Sequence, residues 1–365
     1  MRIFEVADEQ VFFENTTLIA TGQMLGFLPD RMEMAAVTLQ PEGFYLAETS
    51  RGKLTDHYLA CLNYTQNNVC NWMVRADDPE GNGYCLACRL NGIIPNLAED
   101  PQNIGRWAKL EAAKRRLVYT LLRLGLPVRS GLIEPATGLS FQFLADAPVA
   151  PTVDPSQPAP APAVRVLTGH ENGIITLNIE EADDEIRERT RTAMGEKYRT
   201  LLGHFRHESG HYYWDHIVDG TPVLEKCRQV FGDDTQDYGV ALQQHYSAGP
   251  PADWQNNFIT AYAASHPWED WAESWAHYLY VVDAVELAQQ QGLVRGLMDI
   301  SGAQRITFRT SFGGILEAWA DLTILLNSFN RTAGISDPYP FVLSKPAMEK
   351  MEFVHEAVLA AAGGN

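Results

Sequence analysis

A chain of 365 residues, 45% hydrophobic and 20% charged, has the composition of a globular protein and room for one large or two modest domains. Its formal net charge of −18 excludes a general affinity for DNA or RNA backbones, which takes basic patches. No run of about 18 apolar residues occurs, and the start, MRIFEVADEQVFF, is acidic where an export signal is basic and then apolar. Neither membrane insertion nor secretion is therefore expected, and the cytoplasm of a bacterium is the expected location.

Residues 1 to about 60 read as short strands and turns, in VFFEN, MLGFLPD, AAVTLQ and GFYLAE, without helical periodicity. Four cysteines follow: Cys61, Cys70, Cys85 and Cys88, the last two in a CxxC knuckle. In a chain without an export signal, metal ligation is favoured over disulfides, and four thiolates make a closed structural zinc site. The competing reading is four reduced, buried thiols, because a standard ribbon has two CxxC pairs and this cluster has one. Cys227 stands apart and reads as an ordinary thiol.

Pro101–Leu124 turns helical, with Trp107, Leu110, Ala113, Leu117, Leu121 and Leu124 at helical spacing. Lys109, Lys114, Arg115, Arg116 and Arg123 are interleaved, and a solvated face is expected for them rather than a dock for an acidic partner. Gly138–Leu144 reads as a strand. The Pro/Ala-rich segment 148–163 lacks the donors for regular structure. Val164–Leu167 and Ile174–Ile179 read as strands around a HENG turn, so segment 148–163 is expected to be a loop inserted in one sheet. Asp183–Gly195 reads as a charged helix, and Thr235–Pro251 mostly as loop. Trp254–Ala264, Pro267–Val282, Gly314–Asn327 and Ala347–Ala362 read as helices.

The chemistry concentrates in His207-Glu208-Ser209-Gly210-His211. Histidines four residues apart lie on one helix face, so their imidazoles can converge on one metal, and Glu208 is placed to reach a metal-bound water. The bland reading is a buried helix with two core histidines. Catalytic zinc needs a third protein ligand. HPWEDWAESWAHYLY offers Glu269, Asp270, Glu273 and His277. Glu269 and Glu273 share a face that His277 continues, with Asp270 displaced. Carboxylates on an aromatic helix face are expected to ligate or pair, one binding metal and the next orienting a ligating histidine. Asp270 serves equally well as an acidic helix start. His204, His216 and His266 are expected off the metal.

HESGH followed by E-D-W-A-E resembles the gluzincin proteases, whose third zinc ligand is a glutamate on a second helix. In the subset similar to anthrax lethal factor the pattern is E-x-x-A-E, with a tyrosine seven residues upstream. This resemblance implies Glu269 as ligand, Glu273 behind it and Tyr262 as the tyrosine; the choice of Glu269 over Glu273 stays open. Nearly the whole chain resembles, more closely, a bacterial family of zinc-binding metallopeptidases with an N-terminal zinc-ribbon region. VFFEN, LGFLPD, CNW, CLACR, GHFRHESGHYYW and WEDWAESWAHYL carry that likeness.

What the resemblance implies is an α+β fold. A β-rich zinc-ribbon-like domain over 1–100 precedes a zincin-like domain over 101–365, the latter built from a small sheet, the HExxH helix and a glutamate helix, with the Pro/Ala-rich loop at 148–163. The family also implies a further CxxC pair near the N-terminus, but no cysteine precedes Cys61, so hydrophobic packing is expected there instead. The expected function is a zinc-dependent peptidase acting on a peptide or protein. It would carry one catalytic zinc (His207, His211, Glu269) and one structural zinc (Cys61, Cys70, Cys85, Cys88). Glu208 is then the general base, Tyr262 the oxyanion donor, and Glu273 and Asp270 the outer support. Ile174–Ile179 would be the sheet edge that pairs with an extended substrate. The alternatives are a degenerate zincin-fold protein-binding module and a zinc hydrolase of a non-peptide substrate.

Overall fold

The computed structural model describes residues 2–146, 166–193, 196–301 and 305–363. Its N-terminal part is β-rich. β1 (Phe4–Val6) and β2 (Glu9–Val11) form a hairpin. VFFEN, expected as a strand, belongs to β2 only at Val11. β3 (Met24–Leu28), β4 (Glu33–Leu39), β5 (Tyr45–Thr49) and β6 (Gly52–Ala60) then form an antiparallel meander. A single turn, α1 (Leu62–Thr65), leads to its last strand, β7 (Met73–Arg75). Apolar packing occupies the N-terminus as expected: Phe4, Val6, Val11, Phe13 and Leu18 are buried, and Phe13 meets Phe27, Trp72 and Tyr119 edge-on.

β8 (Asn91–Ile93) leads into α2 (Asn103–Leu124), which ends where Gly125, at φ 74°, bonds the carbonyls of Leu121 and Leu122. The expected solvated basic face is absent from much of α2. Lys114, Arg115 and Arg123 are buried because neighbouring segments cover α2 on several sides: Lys114 lies over the rings of Phe141 and Phe143, and Arg115 lies against Val69. Each therefore finds a buried partner: Lys114 meets Glu111 at 2.8 Å, Arg115 donates to the Val69 carbonyl, and Arg123 meets Glu286 at 2.7 Å. Lys109 and Arg116 stay at the surface.

The second sheet runs β10-β11-β9-β8, with β9 (Ser140–Leu144), β10 (Gly169–Glu171) and β11 (Ile174–Asn178). β11 and β9 pair in parallel, as do β8 and β9, and β10 is antiparallel. Two expectations are corrected here. Residues 164 and 165 of the strand foreseen at 164–167 lie outside the described residues; the strand present is at 169–171, where Asn172 (φ 49°) and Gly173 (φ 78°) make a tight two-residue turn. Ile174–Ile179 is not the sheet edge; β11 is flanked on both sides and the edge is β10. Segment 148–163 lies outside the described residues, and the strands flanking it share this one sheet.

Helices α3 (Asp184–Ala193), α4 (Leu201–Ile217), α5 (Leu224–Phe231), α6 (Tyr238–Ala248), α7 (Pro267–Gln290), α8 (Phe312–Thr332) and α9 (Lys345–Gly363) complete the chain. α5 was not foreseen. α6 replaces an expected loop: the Asp237 carboxylate accepts from Val240 N–H at 2.9 Å and starts a helix that buries no residue, so it carries no apolar stripe to read. Trp254–Ala264, expected as a helix, is two separate 3₁₀ turns. Lys350 takes the Asn257 carbonyl at 2.8 Å, an acceptor that an α-helix there would use internally. α7 continues to Gln290 because Val285 and Ala288 keep its core face apolar. One contiguous core runs from Phe4 to Val358, joining the β-rich part to the helices.

Candidate metal centres

α4 begins at Thr200, whose hydroxyl accepts from Gly203 N–H at 3.0 Å. It lies against α7, whose tryptophans bond to it: Trp271 donates to the Gly210 carbonyl at 2.8 Å and Trp275 to the Ser209 hydroxyl at 3.0 Å. The helices are close because position 210 has no side chain. A Cβ there would lie 2.9 Å from Ala272 Cα and 3.2 Å from Trp275 Cδ1. This crossing brings Glu269 of α7 to the two histidines of α4. Gly210→Ala is expected to force the helices apart, destabilise the fold by about 1–3 kcal/mol and weaken metal binding. Urea denaturation and a metal titration would measure the two effects; no change in either would contradict the packing argument.

Glu269 Oε2 stands 3.0 Å from His207 Nε2 and 3.5 Å from His211 Nε2. This carboxylate oxygen is buried and forms no hydrogen bond among the described residues. His207 Nδ1 meets Glu273 Oε1 at 2.7 Å, so a proton held on Nδ1 by Glu273 makes Nε2 the nitrogen placed to ligate a metal. The other oxygen of Glu269 accepts from the Tyr238 hydroxyl at 2.6 Å. Three ligand atoms within 4.8 Å of one another, with one carboxylate oxygen left unbonded, fit a metal cation. Burial alone would raise the Glu269 carboxyl, but the two imidazoles hold it well below the usual carboxylate range. Burial raises the Glu208 carboxyl above its ordinary value. It also raises Tyr262, which therefore keeps its proton; its ring lies 5.9 Å from that of His207.

The second cluster holds Cys61, Cys70, Cys85 and Cys88, all buried, with their sulfurs within 4.8 Å of one another. Cys70 Sγ accepts from Trp72 N–H and Cys61 Sγ from Cys85 N–H, both at 3.4 Å. Such bonds favour the thiolate that metal ligation requires.

The family model described as "Putative zinc-binding metallo-peptidase" matches residues 103–357, and a zinc-ribbon domain model matches residues 4–99. The chain belongs to this zinc-binding metallopeptidase family. Uncharacterized proteins of Mycobacterium tuberculosis and Mycobacterium bovis are 36% identical to it over 351 residues, which cover 96% of this chain and 92% of theirs. No solved structure matches. As a member of the family, the chain pairs an N-terminal β-rich zinc-ribbon region with a metallopeptidase-like C-terminal domain, and the four clustered cysteines fall within the ribbon match.

The residues foreseen for the metal site divide sharply. Glu273 touches His207 and lies outside the converging set, whereas Glu269 is inside it. Asp270 also lies outside the converging set. It is buried and pairs with Lys350 of α9 at 2.5 Å, so it is not an exposed helix-start acid either. His277 bonds the Tyr339 hydroxyl at 2.8 Å. His204 is 4.0 Å from Glu181, His216 bonds the Tyr212 and Thr137 carbonyls, and His266 caps α7. None of these four histidines joins the converging set. Two neighbours of the centre were not foreseen. Tyr238 reaches it from α6. His170 of the edge strand β10 lies with its ring 6.4 Å from that of His211, and burial pushes it down to about 4. No sequence spacing links either to the HExxH helix.

Proposed function

We propose that the chain is a zinc-dependent peptidase of the gluzincin type, with one zinc on His207, His211 and Glu269 and a second on the four cysteines. The unbonded, buried Glu269 Oε2 between two imidazole nitrogens carries this reading. Zinc held there would supply a water of lowered pKa and a polarised peptide carbonyl. Glu208 takes a proton from the attacking water and passes it to the leaving amine. Tyr262, buried and protonated, donates to the developing oxyanion. Glu273 holds the Nδ1 proton of His207 and so keeps that ring in one orientation. The open side of β10 offers backbone groups to an extended peptide beside the centre.

Residues 1–100 and 101–365 serve in this reading as ribbon and peptidase, although β8, from before the boundary, adds a strand to the peptidase sheet. No helix among the described residues is long and apolar enough to cross a membrane. Action on peptides in the cytoplasm is part of the same proposal. The test is cleavage of a peptide library by the metal-loaded protein, with and without a chelator. Zinc binding without any cleavage would favour a protein-binding module instead. Within the same assay series, Glu273→Ala is expected to weaken zinc binding about 10–100-fold, read by competition with a chromophoric chelator. Unchanged affinity would remove Glu273 from the support of His207.

A further inference from the structure

We infer that Tyr238 is a positioning residue for Glu269 and that, through it, helix α6 is fastened to the catalytic metal. This rests on the reading of His207, His211 and Glu269 as the ligands. The Tyr238 hydroxyl donates to Glu269 Oε1 at 2.6 Å, the length of a strong charge-assisted bond. A carboxylate has two equivalent oxygens and can offer either or both to a metal. Here Oε1 is taken, so Oε2 alone remains toward the two imidazoles. A catalytic zinc site works with three protein ligands and one open position. A hydroxyl that occupies the second oxygen protects that open position.

The placement of Tyr238 is built, not incidental. His266 caps α7: its Nδ1 accepts from Trp268 N–H at 3.0 Å. Its other nitrogen, Nε2, therefore carries the proton, which it donates to the Gln236 carbonyl at 3.2 Å. The short stretch 236–238 is thus tied twice to the first turn of α7, at Gln236 by His266 and at Tyr238 by Glu269. The Tyr238 ring stands edge-on to both His266 and Trp268, each at 5.4 Å, and Trp268 packs on the ligand His211 at 3.7 Å. Helix α6, which begins at Tyr238, buries no residue of its own. Its attachment comes largely through this turn and through Tyr262, whose ring is 6.1 Å from that of His245.

Tyr238→Phe keeps the ring and removes only the hydroxyl. The experiment uses the full chain, with the catalytic site emptied and then titrated with zinc against a chromophoric chelator. A parallel sample is loaded with cobalt for its visible absorption. The expected result is a Kd for zinc raised about 10–100-fold and a cobalt spectrum of altered intensity, as the freed second oxygen changes the coordination. The melting of protein lacking the catalytic metal should stay as in the wild type. An unchanged Kd overturns the inference while leaving the ligand reading intact. A raised Kd with an unchanged cobalt spectrum also overturns it, since that marks a general loosening of the fold. If Glu269→Ala binds zinc as tightly as the wild type, the ligand reading and the inference fall together.

Discussion

Glu208→Gln is expected to lower kcat/KM for peptide cleavage about 10²–10⁴-fold while the zinc content stays at the wild-type level. Glutamine keeps the shape of the side chain and its place in α4 but cannot accept a proton at neutral pH. Glu208 lies outside the group of converging ligand atoms, so the substitution leaves His207, His211 and Glu269 as they are. Burial raises its carboxyl above the ordinary value, in the direction that suits a base working near neutral pH. A metal analysis and a peptide assay on the same preparation separate the two effects. Wild-type turnover in this variant would refute the general-base role; loss of zinc together with activity would make Glu208 a structural residue.

Cys85→Ser is expected to cost more in stability than any other single change considered. Zinc content should fall from about two equivalents per chain to about one, as a structural site of four thiolates loses a ligand. Structural zinc contributes on the order of 10 kcal/mol to folding in small domains, and binding there is folding free energy. The consequences extend past the ribbon. Arg115 of α2 is buried beside the cluster and donates to the Val69 carbonyl, one residue before Cys70. Without the thiolates it is a buried cation that loses the cluster's share of its counter-charge and keeps only Glu111. Farther along α2, Thr120 bonds Asp283, which also pairs with Arg206, the residue before His207. Denaturation followed by intrinsic fluorescence should therefore show a large drop in midpoint, and peptidase activity should fall with it. An unchanged midpoint with one equivalent lost would show that the cluster's metal does not hold this fold.

Much of the candidate centre is legible in local spacing. The i, i+4 histidines of α4 and the i, i+4 glutamates of α7 need only helical geometry to be placed on their faces, and both helices are visible from apolar periodicity. The same logic fails where a helix has no buried face, as in α6, and where a cation is drawn inside by its neighbours, as with Lys114, Arg115 and Arg123. It also fails for Asp270, whose partner Lys350 is 80 residues away.

The sequence by itself determined the candidate ligand types, the candidate base and the thiol cluster, because these are set by residue identity at fixed helical or knuckle spacing. The tertiary structure alone decided which acid joins the histidines. That choice depends on how closely α4 approaches α7 across Gly210, on the Glu273 bond that orients His207, and on the Tyr238 bond that turns one oxygen of Glu269 away. Contacts between segments far apart in the chain are set by packing, and no short-range pattern encodes them.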